Sequence, residues 1–283
     1  MQFVVLLAMM AAAVVDFQSV REIHVTEPDA QLRTVRLASW NIDRGTEFEL
    51  LASELQRNPA DLLLLQEVDL NTARTSGRDV AADLALRLGL NASFATEFEE
   101  LGQEKQGQRA YTGQATLTRL PLRKSRILRF QRQSGFWKPH SWMPSSVPLM
   151  QRRVGSRIAL VSELEFHGRM LVVYNAHLES RSAGSIQAAQ LDEIIEDSQQ
   201  YPPETSIVLA GDLNTKYQPS HFLRKLDAQG FRSAFGERVE HTAAFLALDW
   251  IFCKGPVRFA DARVLHELKG SDHAPIYALL VNR

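Results

Sequence analysis

Six short apolar segments of this 283-residue chain each have, at one end, side chains that can bind a metal or carry a proton. Apolar runs of this length predict buried strands, and side chains at the mouth of a rigid strand are well placed for chemistry. In chain order, the terminal groups are Asn41 with Asp43, Glu67, His177, Asp212 with Asn214, Asp249, and Asp272 with His273. The repetition of this pattern, more than any single group, predicts a shared site at the ends of several strands.

The last of these groups lies in Gly270-Ser271-Asp272-His273-Ala274-Pro275, directly before the apolar run Ile276–Val281. An aspartate can bind a metal, and a histidine can take a proton from water near neutral pH. An Asp-His pair by itself is most often part of a surface loop. Its significance here comes from the five other groups upstream.

The periodicity of the chain predicts ten or eleven short strands and four or five helices. Strands are expected at 32–42 and 61–68 and an amphipathic helix at 77–88, whereas the polar segment 97–108 is expected to be a loop over the site. Strand pairs joined by hairpins alternate with crossover helices, a mixture that predicts mixed sheets packed face to face with helices outside. We expect one domain over residues 32–283, preceded by a lead-in that ends at residue 31.

The N-terminal segment Phe3–Val15 is uninterrupted apolar sequence. It is short for a membrane span and suits the apolar region of a signal peptide, with small residues at Ala11–Ala13 for cleavage. No basic residue precedes it, which instead favours a buried element. A cleaved signal would predict a secreted or periplasmic protein and a buried element a cytoplasmic one. Both interpretations stand at this stage.

The overall charge does not indicate a dedicated nucleic-acid binder, because the formal net charge is −1 and such proteins usually carry a strong basic excess. A local excess does occur between residues 123 and 157, at Arg123, Lys124, Arg126, Arg129, Arg132, Lys138, Arg152, Arg153 and Arg157. This segment contains the aromatic, proline-rich stretch Phe136–Pro144. Three interpretations fit it: a phosphate-backbone patch with stacking aromatics, a loop that contacts a membrane surface, or a loop packed on the protein itself.

Taken together and in this order, the polar groups and their flanking residues resemble the endonuclease/exonuclease/phosphatase superfamily. That superfamily includes pancreatic-type deoxyribonucleases, abasic-site endonucleases, inositol polyphosphate 5-phosphatases and neutral sphingomyelinases. The matching segments are ASWNID, LLLQEVD, YNAHLES, AGDLNT, LDWIF and GSDHAPI, between about Leu32 and Leu280. The resemblance implies an α/β fold, a four-layer α/β/β/α sandwich of two mixed, mostly antiparallel sheets with the site at one end.

The resemblance also implies a divalent-metal site. Glu67 would be the main ligand, with Asn41 and Asp272 nearby and Asp43 either direct or through water. Hard oxygen ligands of this kind suit Mg²⁺ or Mn²⁺. Phosphoester cleavage needs such an ion to neutralise charge on the non-bridging oxygens.

The remaining groups would carry the chemistry in such a site. Asp212 would orient or deprotonate the attacking water, and Asn214 would hold a phosphoryl oxygen. His273, oriented by Asp249, would serve as base or as a phosphate-binding cation. His177 would donate to the phosphoryl oxygen or to the leaving group.

Two further residues are candidate substrate contacts, Tyr111 and Gln114. Many members have Gly-Asn-Ala where this chain has Gly113-Gln114-Ala115, so the amide here is one methylene longer. The substrate is left open between three hypotheses: a phosphodiesterase or phosphatase on small or lipid-linked phosphoesters, a nuclease on DNA or RNA, and a phosphate-binding protein without activity. We expect a monomer in each case.

Overall fold

The structure is a computed structural model that describes residues 16–138, 152–216 and 219–283. The strands are β1 (Val20–Ile23), β2 (Thr34–Arg44), β3 (Leu62–Leu70), β4 (Asn91–Glu100), β5 (Tyr111–Thr118), β6 (Leu122–Arg129), β7 (Arg153–Gly155), β8 (Ile158–Phe166), β9 (Arg169–His177), β10 (Ser206–Asp212), β11 (Arg232–Ser233), β12 (Asp249–Lys254), β13 (Val257–Val264) and β14 (Ile276–Asn282). The helices are α1 (Phe48–Arg57), α2 (Val80–Leu88), α3 (Ser185–Ser198) and α4 (Pro219–Asp227), with one 3₁₀ turn at Ala73–Thr75.

The strands form two mixed sheets. The first has the order β1-β4-β5-β3-β2-β14-β13, with β7 also paired to β4, and the second has the order β11-β12-β10-β9-β8-β6. The pairs β2–β3 and β9–β10 are parallel, whereas the other pairs are antiparallel. Mixed, mostly antiparallel sheets are therefore confirmed.

Alternation along each strand divides its side chains between two faces. In β2, Leu37 packs into the cluster between the sheets, whereas Ala38 and Trp40 pack under α1 and α2. In β10, Val208 faces the other sheet and Leu209 faces the α3 and α4 side. These three apolar clusters are the interfaces of a four-layer α/β/β/α sandwich, which confirms the fold class.

Two segments differ from their sequence-based expectations. The segment 97–108 begins as strand rather than loop, because β4 runs to Glu100, and Glu97 is completely buried. Its polarity misled the prediction because the charges are neutralised by distant partners: Glu97 pairs with Arg157, and Glu100 pairs with Arg74 and Arg153.

The second difference lies in the expected lead-in. Strand β1 pairs with β4, and Arg21 makes two hydrogen bonds to Asp79 at 2.5 and 2.8 Å. The folded region therefore extends N-terminal to residue 32. The candidate signal segment Phe3–Val15 lies outside the described residues. Among the residues that the structure describes, no helix is long and apolar enough to cross a membrane.

Candidate active site

Three of the predicted catalytic residues lie in one row across the second sheet. In the strand register, Asp212 at the end of β10 is opposite His177 of β9 on one side and Asp249 of β12 on the other. All three follow the inner-face alternation of their strands, so they lie where the apolar layer between the sheets ends. His177 Nε2 is 3.6 Å from Asp212 Oδ2. The strand ends therefore bring these three side chains next to one another.

Three of the four candidate metal ligands, Asn41, Asp43 and Glu67, lie at two adjoining bulges of the first sheet, and Asp272 lies in the loop before β14. The β2–β3 register shifts between Asn41 and Arg44, and the β3–β5 register shifts between Leu65 and Val68. Asp43 and Glu67 have φ angles of 42° and 50°. A bulge re-aims the side chain of the extra residue, so the regular alternation of a strand, which would place Asn41 and Asp43 on the same side of the chain, does not apply here.

One hydrogen bond joins the two halves of the site. Asn41 Nδ2 donates to Asp212 Oδ2 at 3.1 Å across the space between the sheets. The loop before β14 is tied to the same place, because Ser271 Oγ donates to the Asn41 carbonyl oxygen at 2.6 Å. The Trp40 indole nitrogen donates to the carbonyl oxygen of His273 at 2.8 Å. The first and last sequence motifs are thus in contact.

His273 and Asp249 form a buried pair. Nδ1 of His273 is 2.7 Å from Asp249 Oδ2, which also accepts a 2.6 Å hydrogen bond from the Thr242 hydroxyl. Burial alone would lower the pKa of His273, but the carboxylate of Asp249, with smaller effects of Asp212 and Asp272, raises it to about 10. His273 is therefore protonated at neutral pH, as a phosphate-binding cation would be.

His177 lies between an anion and a cation that the sequence analysis did not single out as site residues. Its Nδ1 is 3.2 Å from Glu97 Oε2, and Arg157 Nη1 lies 2.8 Å from Nε2. Burial would raise the pKa of Glu97, but His177 and Arg157 hold it below its usual range.

Asp212 stabilises a turn of the backbone and also has an environment that suits proton transfer. Its Oδ1 accepts the backbone N–H of Asn214 at 2.9 Å, a turn of the Asx type. Burial and repulsion by Asp249 raise the pKa of Asp212, against the opposing effects of His273 and His177. A raised pKa suits a carboxylate that accepts a proton. Asn214 is also buried, and its amide nitrogen donates to the Leu178 carbonyl oxygen at 3.1 Å.

The donor set around Glu67 fits a hard divalent cation. Glu67 is ionised at neutral pH: burial would raise its pKa, but Arg44, His177 and other cations lower it to about 2. The pKa of Asp43 is raised by burial and by its proximity to Asp272 and Glu67, which a cation would relieve. Three carboxylates with the amide of Asn41 form the oxygen set that Mg²⁺ and Mn²⁺ prefer.

Among the described residues, the ligand atoms that already lie within metal-binding distance of one another belong to a different group: one atom from each of Asp212, Asp249 and His273 lies within 4.8 Å of the other two. We favour the Glu67 group as the metal site for a physical reason. Nδ1 of His273 and the Oδ2 of Asp249 already share a proton at 2.7 Å. The resulting imidazolium, whose pKa is raised to about 10, offers no lone pair to a metal ion.

The two candidate substrate contacts lie elsewhere. Gln114 is fully buried: its amide nitrogen donates to the Ile158 carbonyl oxygen, and its Oε1 accepts from Leu160 N–H. It therefore ties β5 to β8 rather than facing a substrate. Tyr111 is 7% exposed and packs in the cluster under α1 and α2, with its ring edge on Phe17. Neither position supports the substrate role that we expected.

Part of the basic segment is neutralised within the protein. Four of its arginines pair with carboxylates: Arg123 with Glu165, Arg126 with Asp197, Arg153 with Glu100 and Arg157 with Glu97. Such pairing weakens the interpretation of the segment as a phosphate-backbone patch.

Part of the aromatic stretch packs on the protein itself. Trp137 is 7% exposed, and its indole N–H donates to the Glu179 carboxylate. Phe136, by contrast, is 52% exposed. The remainder of the candidate membrane loop, residues 139–144, lies outside the described residues.

Three charged residues of the site were missed as site residues by the sequence analysis. Glu97 was placed in a loop, Arg157 was counted in a basic segment, and Arg44 was passed over although it directly follows Asp43. Arg44 Nη2 is 3.0 Å from Glu67 Oε2. Adjacency to the Asn41–Asp43 motif could have identified Arg44, whereas no local pattern distinguishes Glu97 or Arg157.

The chain is similar to known proteins in both sequence and fold. The sequence model of the Endonuclease/Exonuclease/phosphatase family matches residues 38–273. No curated protein matches the sequence.

Several solved structures share the fold. The human nocturnin catalytic domain aligns with a TM-score of 0.67 at 17% identity, over 94% of this chain and 98% of that one. An endonuclease/exonuclease/phosphatase from Beutenbergia cavernae aligns with a TM-score of 0.64 at 16% identity, over 89% and 72%. A humanised D. rerio TDP2 aligns with a TM-score of 0.59 at 18% identity, over 88% and 99%.

Proposed function

Since the chain belongs to the endonuclease/exonuclease/phosphatase family, we propose that it is a divalent-metal-dependent phosphoester hydrolase that uses in-line attack by an activated water. Members of this family are typically hydrolases of phosphoester bonds and generally depend on divalent metals. The observation that carries the proposal is the 3.1 Å hydrogen bond from Asn41 to Asp212. It brings a candidate metal ligand of one sheet against a candidate base of the other.

In this proposal Glu67, Asn41, Asp43 and Asp272 hold the ion. A bound divalent ion supplies charge neutralisation on the non-bridging phosphoryl oxygens. Its ligands would come from two bulged strands and from the loop before β14, which the Ser271 hydroxyl ties to the Asn41 carbonyl oxygen.

The residues of the second sheet supply proton transfer and anion binding. Asp212, whose pKa is raised by burial, accepts a proton from the attacking water. Protonated His273 binds the phosphoryl group and is held in orientation by Asp249. His177 donates to a phosphoryl oxygen or the leaving group, and Asn214 holds a phosphoryl oxygen.

The substrate that we propose is a small or lipid-linked phosphoester rather than a long nucleic acid. A polyanion is usually bound through many unpaired cations, and four arginines of the basic segment are instead paired with carboxylates. The net charge of −1 agrees with this choice.

The test is hydrolysis of a substrate panel with Mg²⁺, Mn²⁺ or EDTA. The panel holds bis-p-nitrophenyl phosphate, p-nitrophenyl phosphate, sphingomyelin, an inositol phosphate, plasmid DNA and RNA. Glu67→Ala is compared with the wild type, and Glu237→Ala, an exposed glutamate, is the matched control. We expect metal-dependent cleavage of a small or lipid-linked substrate that falls at least a hundredfold in Glu67→Ala and is unchanged in the control.

Other results would change the conclusion. Cleavage of DNA or RNA with a steep salt dependence would assign a nuclease. Turnover that persists in EDTA, or a Glu67→Ala rate near that of the wild type, would remove the metal site from the proposal. Binding of phosphate ligands by folded protein without turnover of any substrate would assign a binding protein.

A further inference from the structure

The guanidinium of Arg44 contacts two of the candidate metal ligands at once. Its Nη2 is 3.0 Å from Glu67 Oε2, and its Nη1 pairs with the carboxylate of Asp43. Arg44 is also the strongest of the charges that lower the pKa of Glu67. The same carboxylates that would bind a divalent ion are thus already neutralised by a cation of the chain.

The backbone places Arg44 there. Asp43, Arg44 and Gly45 have φ angles of 42°, 69° and 72°, and Gly45 N–H closes the turn on the Ile42 carbonyl oxygen at 2.9 Å. A side chain at position 45 would lie 2.8 Å from Val80, so this turn is packed against α2. The guanidinium is therefore aimed back at the bulges instead of being a free surface charge, and the Arg44 side chain is 28% exposed.

Two other arginines near Glu67 are arranged differently. Arg153 pairs with Glu100 and Arg157 pairs with Glu97, so each is balanced by a carboxylate that belongs to no candidate metal site. Both can keep these partners when an ion binds at Glu67. Arg44, in contrast, would have to give up contacts with Asp43 and Glu67.

We propose that Arg44 is an internal counter-cation that a divalent ion must displace from Asp43 and Glu67, so that it weakens and sets the metal affinity of the site. The proposal rests on the metal site of the proposed function. Two cations repel and compete for the same carboxylate oxygens, and the repulsion is strong because both are within a few ångströms in a partly buried site. Arginine suits the role since its planar fork can hold two carboxylates at once.

Calorimetric titration of EDTA-stripped protein with Mn²⁺ tests this directly. We expect Arg44→Gln to lower the dissociation constant for Mn²⁺ at least tenfold, or ~1.4 kcal/mol. Arg44→Lys should lower the dissociation constant by a smaller factor, because its ammonium group keeps the positive charge but lacks the planar fork of the guanidinium. The control is Arg87→Gln, which removes an arginine paired with Glu49 on exposed surface and should leave the dissociation constant unchanged.

Thermal unfolding gives a second readout. Without added metal, Arg44→Gln should unfold at a lower temperature than the wild type, because the carboxylates then repel one another without compensation. Saturating Mn²⁺ should raise the unfolding temperature more in Arg44→Gln than in the wild type. If Arg44→Gln does not fold without metal, the Mn²⁺ affinity of Arg44→Lys, compared with that of the wild type, tests the proposal instead.

Unchanged or weaker Mn²⁺ binding by folded Arg44→Gln, or by Arg44→Lys where that variant decides, would overturn the proposal. Metal-dependent hydrolysis that is lost in Glu67→Ala would leave the proposed function intact in that case. Absence of Mn²⁺ binding in the wild type and in both variants would overturn the metal site itself and the proposed function with it.

Discussion

At the scale of single residues, His273 depends on Asp249 for its charge. Burial opposes protonation, yet Asp249 brings the pKa of His273 to about 10. We expect Asp249→Asn to lower that pKa toward the ordinary value of about 6.5. An NMR titration of the His273 ring in protein without added metal measures it, with Asp261→Asn, a change on exposed β13, as control. A pKa that stays near 10 in Asp249→Asn would assign the stabilising charge to Asp212.

The sign of the accompanying stability change follows by linkage. The pKa of His273 is raised on folding, so its protonation stabilises the fold fully below pH ~6.5 and ceases to do so as the pH rises through about 10. As the pH rises from ~6.5 to about 10, the free energy of unfolding should therefore fall more in the wild type than in Asp249→Asn.

At the scale of elements, the approach of β10 to β9 determines the spacing of Asp212 and His177. Gly211 has a φ of 139°, and a methyl group there would lie 1.9 Å from the Ala176 carbonyl oxygen. Strands β9 and β10 would have to move apart, since the atoms that the methyl meets belong to the backbone of Ala176 in β9. We expect Gly211→Ala to cost about 2–4 kcal/mol of unfolding free energy and most of the turnover.

Urea unfolding and initial rates measure these two effects. The control is Gly168→Ala in the β8–β9 hairpin, where φ is 70° and no atom lies within 4 Å of the added methyl. It should cost only ~1 kcal/mol. Equal losses in both variants would show that backbone conformation, rather than close strand packing, dominates at Gly211.

At the scale of the whole molecule, the sheets are joined by polar contacts as well as by the apolar layer. Gln66 Nε2 donates to Asn175 Oδ1 at 2.7 Å, and the Asn175 amide nitrogen donates to the carbonyl oxygens of Leu65 and Ala115. Buried groups of this kind are costly when unpaired. They fix the relative position of the sheets near the site, which the Asn41–Asp212 contact requires.

The extent of the folded region is also a property of the whole molecule. Strand β1 covers an edge of β4, and Arg21 and Phe17 contact Asp79 and Tyr111. A chain that begins at residue 32 loses these contacts, so we expect it to unfold at least about 4 °C below a chain that begins at residue 16, or ~1–2 kcal/mol. Calorimetry of both proteins measures the difference. Equal unfolding temperatures would show that residues 16–31 are a lead-in that adds no stability to the fold.

The sequence by itself determined which strand ends carry polar groups. Short apolar runs predict β2, β9, β10 and β12 as buried strands, and Asn41, His177, Asp212 and Asp249 lie at their ends. This signal is local, because an apolar run and the polar residue at its end are adjacent in sequence. The motif order then sufficed to identify the family and the four-layer fold.

Only the tertiary structure decided which charges meet. Glu97 and Arg157 are 60 residues apart, and their pairing beneath His177 has no local signature. The bulges at Asp43 and Glu67 depend on the neighbouring strands, and they interrupt the regular alternation of β2 and β3. Likewise, Gln114, Arg153 and Arg157 are turned inward by partners that are distant in sequence. Electrostatic pairing acts through space, whereas strand periodicity acts along the chain, and the site needs both.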